Sequence, residues 1–275
     1  MSDGAVSIEK RTGAWRIVRV ATMVELSAPL SLVLTAFFIA VQVLLFVALW
    51  HALYGNGTPK NTPSLEQTIT YSTLATLYAR TRWSTRGSTR ERIQSRIRDG
   101  SISYWYLRPL RPQRYYFLKS LGELSLSSLW WICGVLVATA FGLISVPDHA
   151  PTLLLALVSL FLGQVIFYYL ELCVELSCFW TMANYSTVRM YHFTQDLLSG
   201  AFIPLWFFGG YFLTVVNVLP FRAALDLPLS LFAGRLGLDD TAWILGVQIA
   251  WCLALCVVTR ILWALAGRRV IIQGG

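Results

Sequence analysis

Glu171 and Glu175 stand four residues apart in an apolar stretch that runs from Thr152 to about Ala183. On a helix that spacing puts both carboxylates on one face. Ionisable groups are costly inside a bilayer, so the pair invites a functional reading: lining a pathway, binding a cation or meeting a basic partner. A second reading sets them at the cytoplasmic end of the helix. About 20 residues counted inward from Thr152 reach Glu171, where a spanning helix already leaves the hydrocarbon. Arg260, in the last apolar stretch, is a candidate partner, and can equally snorkel to the inner headgroups. Spacing alone leaves these readings open.

Catalytic constellations are missing. The chain has no Gly-Lys pair, which excludes the phosphate-cradling Gly-x4-Gly-Lys-Ser/Thr loop. Neither the zincin nor the nucleophile-elbow spacing occurs, and Ser199-Gly200 resembles the latter only superficially. His51, His149 and His192 fall in unrelated places. All five cysteines, Cys133, Cys173, Cys178, Cys252 and Cys256, lie in apolar runs, so no disulfide framework is expected. Cys252 and Cys256 share a helix face without a His or carboxylate beside them, which favours packing over a metal site. No catalytic residue, metal ligand or resident cofactor is expected in this chain.

The elements that must position these residues belong in a membrane. Apolar residues make up 56% of the 275 and charged ones 13%, against about half and a quarter in soluble domains. The pattern predicts an all-α polytopic protein folded as one membrane domain over 1–275. An interfacial amphipathic helix is expected over residues 5–27, where Trp15, Ile17, Val18 and Met23 alternate with Lys10, Arg11, Arg16 and Arg19. Asp3 and Glu9 precede a first apolar run too long for a signal core, so that run is expected to persist as an anchor.

Six spans are expected: Leu30 to Tyr54, about Glu66 to Trp83, about Leu124 to Val146, Thr152 to about Ala183, a fifth ending near Gly209, and Ala242 to Ala266. Asn184 to His192 reads as a polar connection before the fifth. The second span carries Thr68, Thr70, Ser72, Thr73 and Thr76, hydroxyls that suit a helix buried between neighbours. Residues 210–236 are too apolar for a free loop but broken by Pro220, Pro228 and Gly234. They are expected to fold back into the outer leaflet. All but three of the 22 Lys and Arg residues fall on one side of this topology, Lys60, Arg222 and Arg235 being the exceptions. Both termini are therefore expected in the cytoplasm.

The basic loop over 84–122 carries Arg86, Arg90, Arg92, Arg96 and Arg98. Nucleic acid is a poor partner for a membrane-tethered loop. Two readings remain: contact with anionic membrane lipid that sets topology, or a docking surface for a cytosolic protein. For docking, Ile93 and Ile97 are spaced for one helix face, Asp99-Gly100 marks a stop, and Tyr104-Trp105-Tyr106 follow.

Four stretches resemble the integral-membrane permeases of type 2 ATP-binding-cassette exporters, in the bacterial branch with separate ATPase and permease genes. They are Ile97 to Tyr104 with Leu107-Arg108-Pro109-Leu110, Phe179-Trp180, Leu198 to Leu205, and Leu219-Pro220-Phe221-Arg222 with the terminal Val270 to Gly275. The resemblance implies a six-span half-transporter in the bacterial cytoplasmic membrane, with a coupling helix in the 84–122 loop and a re-entrant hairpin after the fifth span. It implies a second permease, identical or a sister, and two copies of a cytosolic ATPase that bind ATP and Mg. Arg92, Ile93, Arg96, Ile97, Arg98, Asp99 and Gly100 would form the docking region, with Arg108 and Pro109 setting the return into the membrane. Glu171, Glu175, Ser72, Thr76 and Pro204 are candidates for a translocation pathway. The rival expectation is a non-transporting scaffold or sensor whose basic loop recruits a regulator. A membrane-embedded enzyme is disfavoured by the missing constellation.

Overall fold

The computed structural model describes residues 29–55, 57, 62–87, 93–98, 101–102, 104, 112–147, 149–181 and 185–274. The helix expected over 5–27 lies outside them, as do Arg92, Asp99, Gly100, Arg108 and Pro109.

Uncharged apolar sequence behind a proline forms α1, Pro29–Gly55, a position where the missing amide proton costs nothing. Ser64 starts α2, Leu65–Gly87, through a reciprocal cap. Its Oγ accepts the Gln67 amide at 3.2 Å while Gln67 Oε1 accepts the Ser64 amide at 3.1 Å. The short α3, Ile93–Arg98, follows. Next comes α4, Pro112–Ala140, again opened by proline. Gly142 closes it at φ +70°, with Leu143 N–H donating to Ala138 O and Gly142 N–H to Thr139 O. The longest apolar stretches give α5, Ala150–Thr181, and α10, Leu238–Gly274. Between them lie α6, Tyr185–Leu198, a 3-10 turn at Leu205–Phe207, and three short helices. These are α7, Gly210–Val218, α8, Pro220–Ala224, and α9, Asp226–Phe232.

Among the described residues three helices are long and apolar enough to cross a membrane: Val33–Gly55, Ala150–Thr181 and Leu238–Arg268. The other expected spans differ from the sequence reading in instructive ways. Helix α2 has the length, but Thr68, Thr70, Ser72, Thr73 and Thr76 make it polar, and all five are buried. Helix α4 begins at Pro112, so the end of the expected basic loop is helical. Only its Ser128–Ala140 part is continuously apolar. Residues 185–192, expected as a connection, are the first half of α6. The fifth expected span, α6, stops at Leu198 rather than near Gly209. Gly200 adopts φ +81°, Ala201 N–H donates back to Asp196 O, and Pro204 follows with no amide proton to offer.

Helices α5 and α10 pack along one another, α1 and α4 flank α2, and α8 and α9 lie across α5. Two cores result. The larger gathers Tyr71, Leu74, Phe167 and the wholly buried α9. The smaller, toward the C-terminal halves of α5 and α10, gathers Tyr115, Tyr116, Leu172, Leu176, Phe179, Trp263 and Ala266. The outward faces are apolar as well, as Leu45 on α1, Phe161 on α5 and Leu253 on α10 show. Such faces suit lipid rather than water.

Candidate functional site

Helix α3 rests on α5. Ile97 packs against the smaller core, and Ile102 is buried within it beside Leu172, Leu176 and Phe179. A backbone bond from Ile102 N–H to Arg96 O at 3.0 Å closes the chain behind α3. Arg96 and Ile97 are half-buried. The described part of the expected docking region thus sits on the same half of α5 that carries Glu171 and Glu175.

Glu171 faces α6. His192 Nε2 lies 2.8 Å from Glu171 Oε1 and 3.0 Å from Oε2, an ion pair when the ring is protonated. Glu175, one turn further along α5, is 2% exposed. In its second half α6 buries His192, Gln195 and Asp196, and Ser199 just beyond it is buried too. Met190 and Phe193 are exposed, as are Ser186, Arg189 and Thr194.

Beyond α6 the chain breaks over 199–209, and side chains from four elements fix the break. The Tyr71 hydroxyl on α2 faces two acceptors, Asp226 Oδ1 at 3.0 Å and Gly200 O at 3.3 Å. Asp226 is wholly buried, and its Oδ2 accepts from Arg222 Nε at 3.1 Å. A Cβ on Gly200 would come within 2.5 Å of the Tyr71 hydroxyl, so close approach as well as φ requires glycine here. Pro204, buried, leads into the 3-10 turn, where Phe207 stacks on Trp50 at 4.9 Å and Trp206 meets Tyr71 edge-on at 4.7 Å. The Arg235 guanidinium lies 4.7 Å over the Trp206 ring. Ser72 Oγ accepts from Trp50 Nε1 at 2.9 Å, and Thr76 Oγ1 donates to Ser72 O at 2.8 Å.

A second polar clamp holds the short helices on the α5–α10 pair. Ser159 Oγ donates to Gln248 Oε1 at 2.9 Å, and Gln248 Nε2 reaches Ser159 O at 3.0 Å and Ala223 O at 2.8 Å. Gly163 makes room for α8, since a Cβ there would lie 2.3 Å from Ala224 O.

Of the candidate pathway residues, Glu171 and Glu175 fall beside the smaller core, while Ser72, Thr76 and Pro204 surround the break. Arg260 is not the described partner of Glu171; His192 is. Sequence reasoning missed His192, Tyr71, Asp226 and Gln248. The row His192, Gln195, Asp196, Ser199 repeats at helical spacing and was the available signal for α6. The partners of Asp226 and Gln248 come from distant elements and leave no local trace. Among the described residues no group of three His, Cys, Asp or Glu gathers to hold a metal.

The family model described as ABC-2 family transporter protein matches residues 38–274. No curated protein and no solved structure matches the chain.

Proposed function

Because the chain belongs to the ABC-2 family of transporter proteins, we propose that it is the permease subunit of an ATP-driven exporter, coupled through α3 to a separate cytosolic ATPase. ATP and Mg are held by two copies of that ATPase, and hydrolysis occurs there. A second permease, identical or a sister, completes the pathway. Both termini face the bacterial cytoplasm, α1, α2, α4, α5, α6 and α10 contribute the six spans, and α7 to α9 re-enter the membrane from outside.

The seating of α3 on α5 carries this reading. A six-residue helix cannot hold its own fold, yet this one is fastened by Ile97 and Ile102 to a core shared with α4, α5 and α10. A push on α3 therefore moves α5. The Glu171–His192 pair passes that displacement to α6, and α6 ends at the break beside Gly200. Substrate would cross between α6, α2 and their copies in the second permease, with Glu175, Ser72, Thr76 and Pro204 near its route.

The test is co-expression and co-purification with a cassette ATPase from the same genome. Wild type is expected to co-elute and raise the ATPase rate, and Ile97→Asp to abolish both while leaving the permease folded. An unaltered rate with Ile97→Asp would remove the docking assignment. Recruitment of a protein without ATPase activity would favour the scaffold reading. Orientation is tested with single cysteines: Thr58→Cys is expected to react with an impermeant thiol reagent in intact cells and Ser88→Cys to be protected. The opposite pattern would invert the topology.

A further inference from the structure

Two of the described arginines near the short helices are compensated by the protein. Arg222 pairs with Asp226, and Arg235 lies over Trp206 with Ser230 in reach. Arg260 differs. It is exposed, and among the described residues it makes no ion pair. Its flanking surface is wholly apolar, with Leu253, Val257, Val258, Ile261 and Leu265 all exposed.

Depth explains how such a cation is tolerated. From Leu238 to Arg260 the helix rises about 33 Å at about 1.5 Å per residue, close to the roughly 30 Å of a hydrocarbon core. Arg260 therefore reaches the headgroup level opposite Asp239 and Asp240, while Val257 and Leu253 lie among acyl chains. Aromatic residues at the same level run along the neighbouring helices. Phe117 on α4 meets Tyr168 edge-on at 5.9 Å, and Tyr168 lies 5.3 Å from Tyr169. A cation with no counter-charge among the described residues, at headgroup depth on an apolar surface, calls for an anion attached to something apolar.

We propose that Arg260 is a binding site for one anionic phospholipid on the outer face of α10, where that helix packs on α5. The phosphate sits on the guanidinium, and an acyl chain lies along Val257 and Leu253. The site depends only on the chain spanning a membrane, and stands whether or not α3 docks an ATPase.

Native mass spectrometry of the full chain, released from detergent with added lipid, tests this. Phosphatidylglycerol is expected to bind more tightly than phosphatidylcholine to wild type. Arg260→Gln should lower phosphatidylglycerol affinity about fivefold, the effect of one base at a membrane surface. Arg260→Lys should retain most of it, and Arg268→Gln, two turns further along and exposed, should change nothing. Equal binding by wild type and Arg260→Gln would overturn the site. So would an equal loss with Arg268→Gln, which would mean diffuse attraction, or displacement of the lipid by inorganic phosphate, which would mean a simple anion site. Should Arg260→Gln fail to fold, Val257→Asp supplies the second test. It places a negative charge one turn away and should repel phosphatidylglycerol while leaving phosphatidylcholine binding as in wild type; loss of neither lipid would again overturn the proposal.

Discussion

The two ends of α5 are fastened in opposite ways. Toward its N-terminal half, Ser159 and Gly163 engage the short helices through a dry network. Gln248 makes three bonds, Asp226 is held by Arg222 and Tyr71, and no Cβ fits at Gly163. Toward its C-terminal half, the ties include the Glu171–His192 pair to α6 and the apolar contact of Ile97 and Ile102 to α3. Redundant buried bonds make a fixed anchor, since losing one leaves its partners unsatisfied. An ion pair open to solvent on its Glu171 side, next to an apolar seat, makes a joint that yields more readily. A transporter needs both: a bundle that keeps its shape at one end and yields at the other.

The anchor should break hardest at Asp226. Asp226→Ala strands Arg222 and removes an acceptor from Tyr71, and unpairing a buried ion pair costs about 3–5 kcal/mol. The expected outcome is loss of monodisperse protein in detergent and a sharply lowered thermal transition. Gly163→Val comes next, because the added side chain collides with the Ala224 carbonyl. Overpacking of this kind costs about 1–3 kcal/mol, read as a lower transition temperature with the fold retained. Gln248→Leu keeps the volume but abandons Ser159 and the Ala223 carbonyl. Interhelical bonds inside membrane proteins average about 0.6 kcal/mol, so its effect should be smaller than that of Gly163→Val. A larger effect at Gln248 than at Asp226 would reverse the ranking and move the anchor to the α5–α10 seam.

The same contrast governs what the sequence discloses. The apolar runs that became α1, α5 and α10 were legible because uncharged length alone decides them. The hydroxyls of α2 were read correctly as buried, since a helix so polar has nowhere else to go. Breaks were harder. The Gly and Pro residues of 198–236 announced an interruption, but placing it at Leu198 depends on Gly200 accepting a left-handed turn beneath Tyr71, a residue 129 positions away. Polarity misled at 185–192, where Tyr185 to His192 look like a connection but form the first half of α6, whose His192 is buried against α5. Glu171 and Glu175 were visible as an oddity, but the partner of Glu171 was not, since His192 belongs to a segment read as loop.

The joint yields the smallest effect on stability and the most informative one on function. Glu171 is partly exposed, and solvent screening on its side limits the pair to about 1 kcal/mol. Glu171→Gln and His192→Gln should each shift the thermal transition by no more than a degree or two. If α6 moves with α5 through this contact, both variants should keep ATPase stimulation while losing transport, because docking at α3 stays intact and only its transmission is cut. The double variant should then be no worse than either single one, as expected for two groups acting through one contact. Additive losses of transport would separate the residues and return Glu171 to the substrate route, where its carboxylate would act on cargo and not on α6.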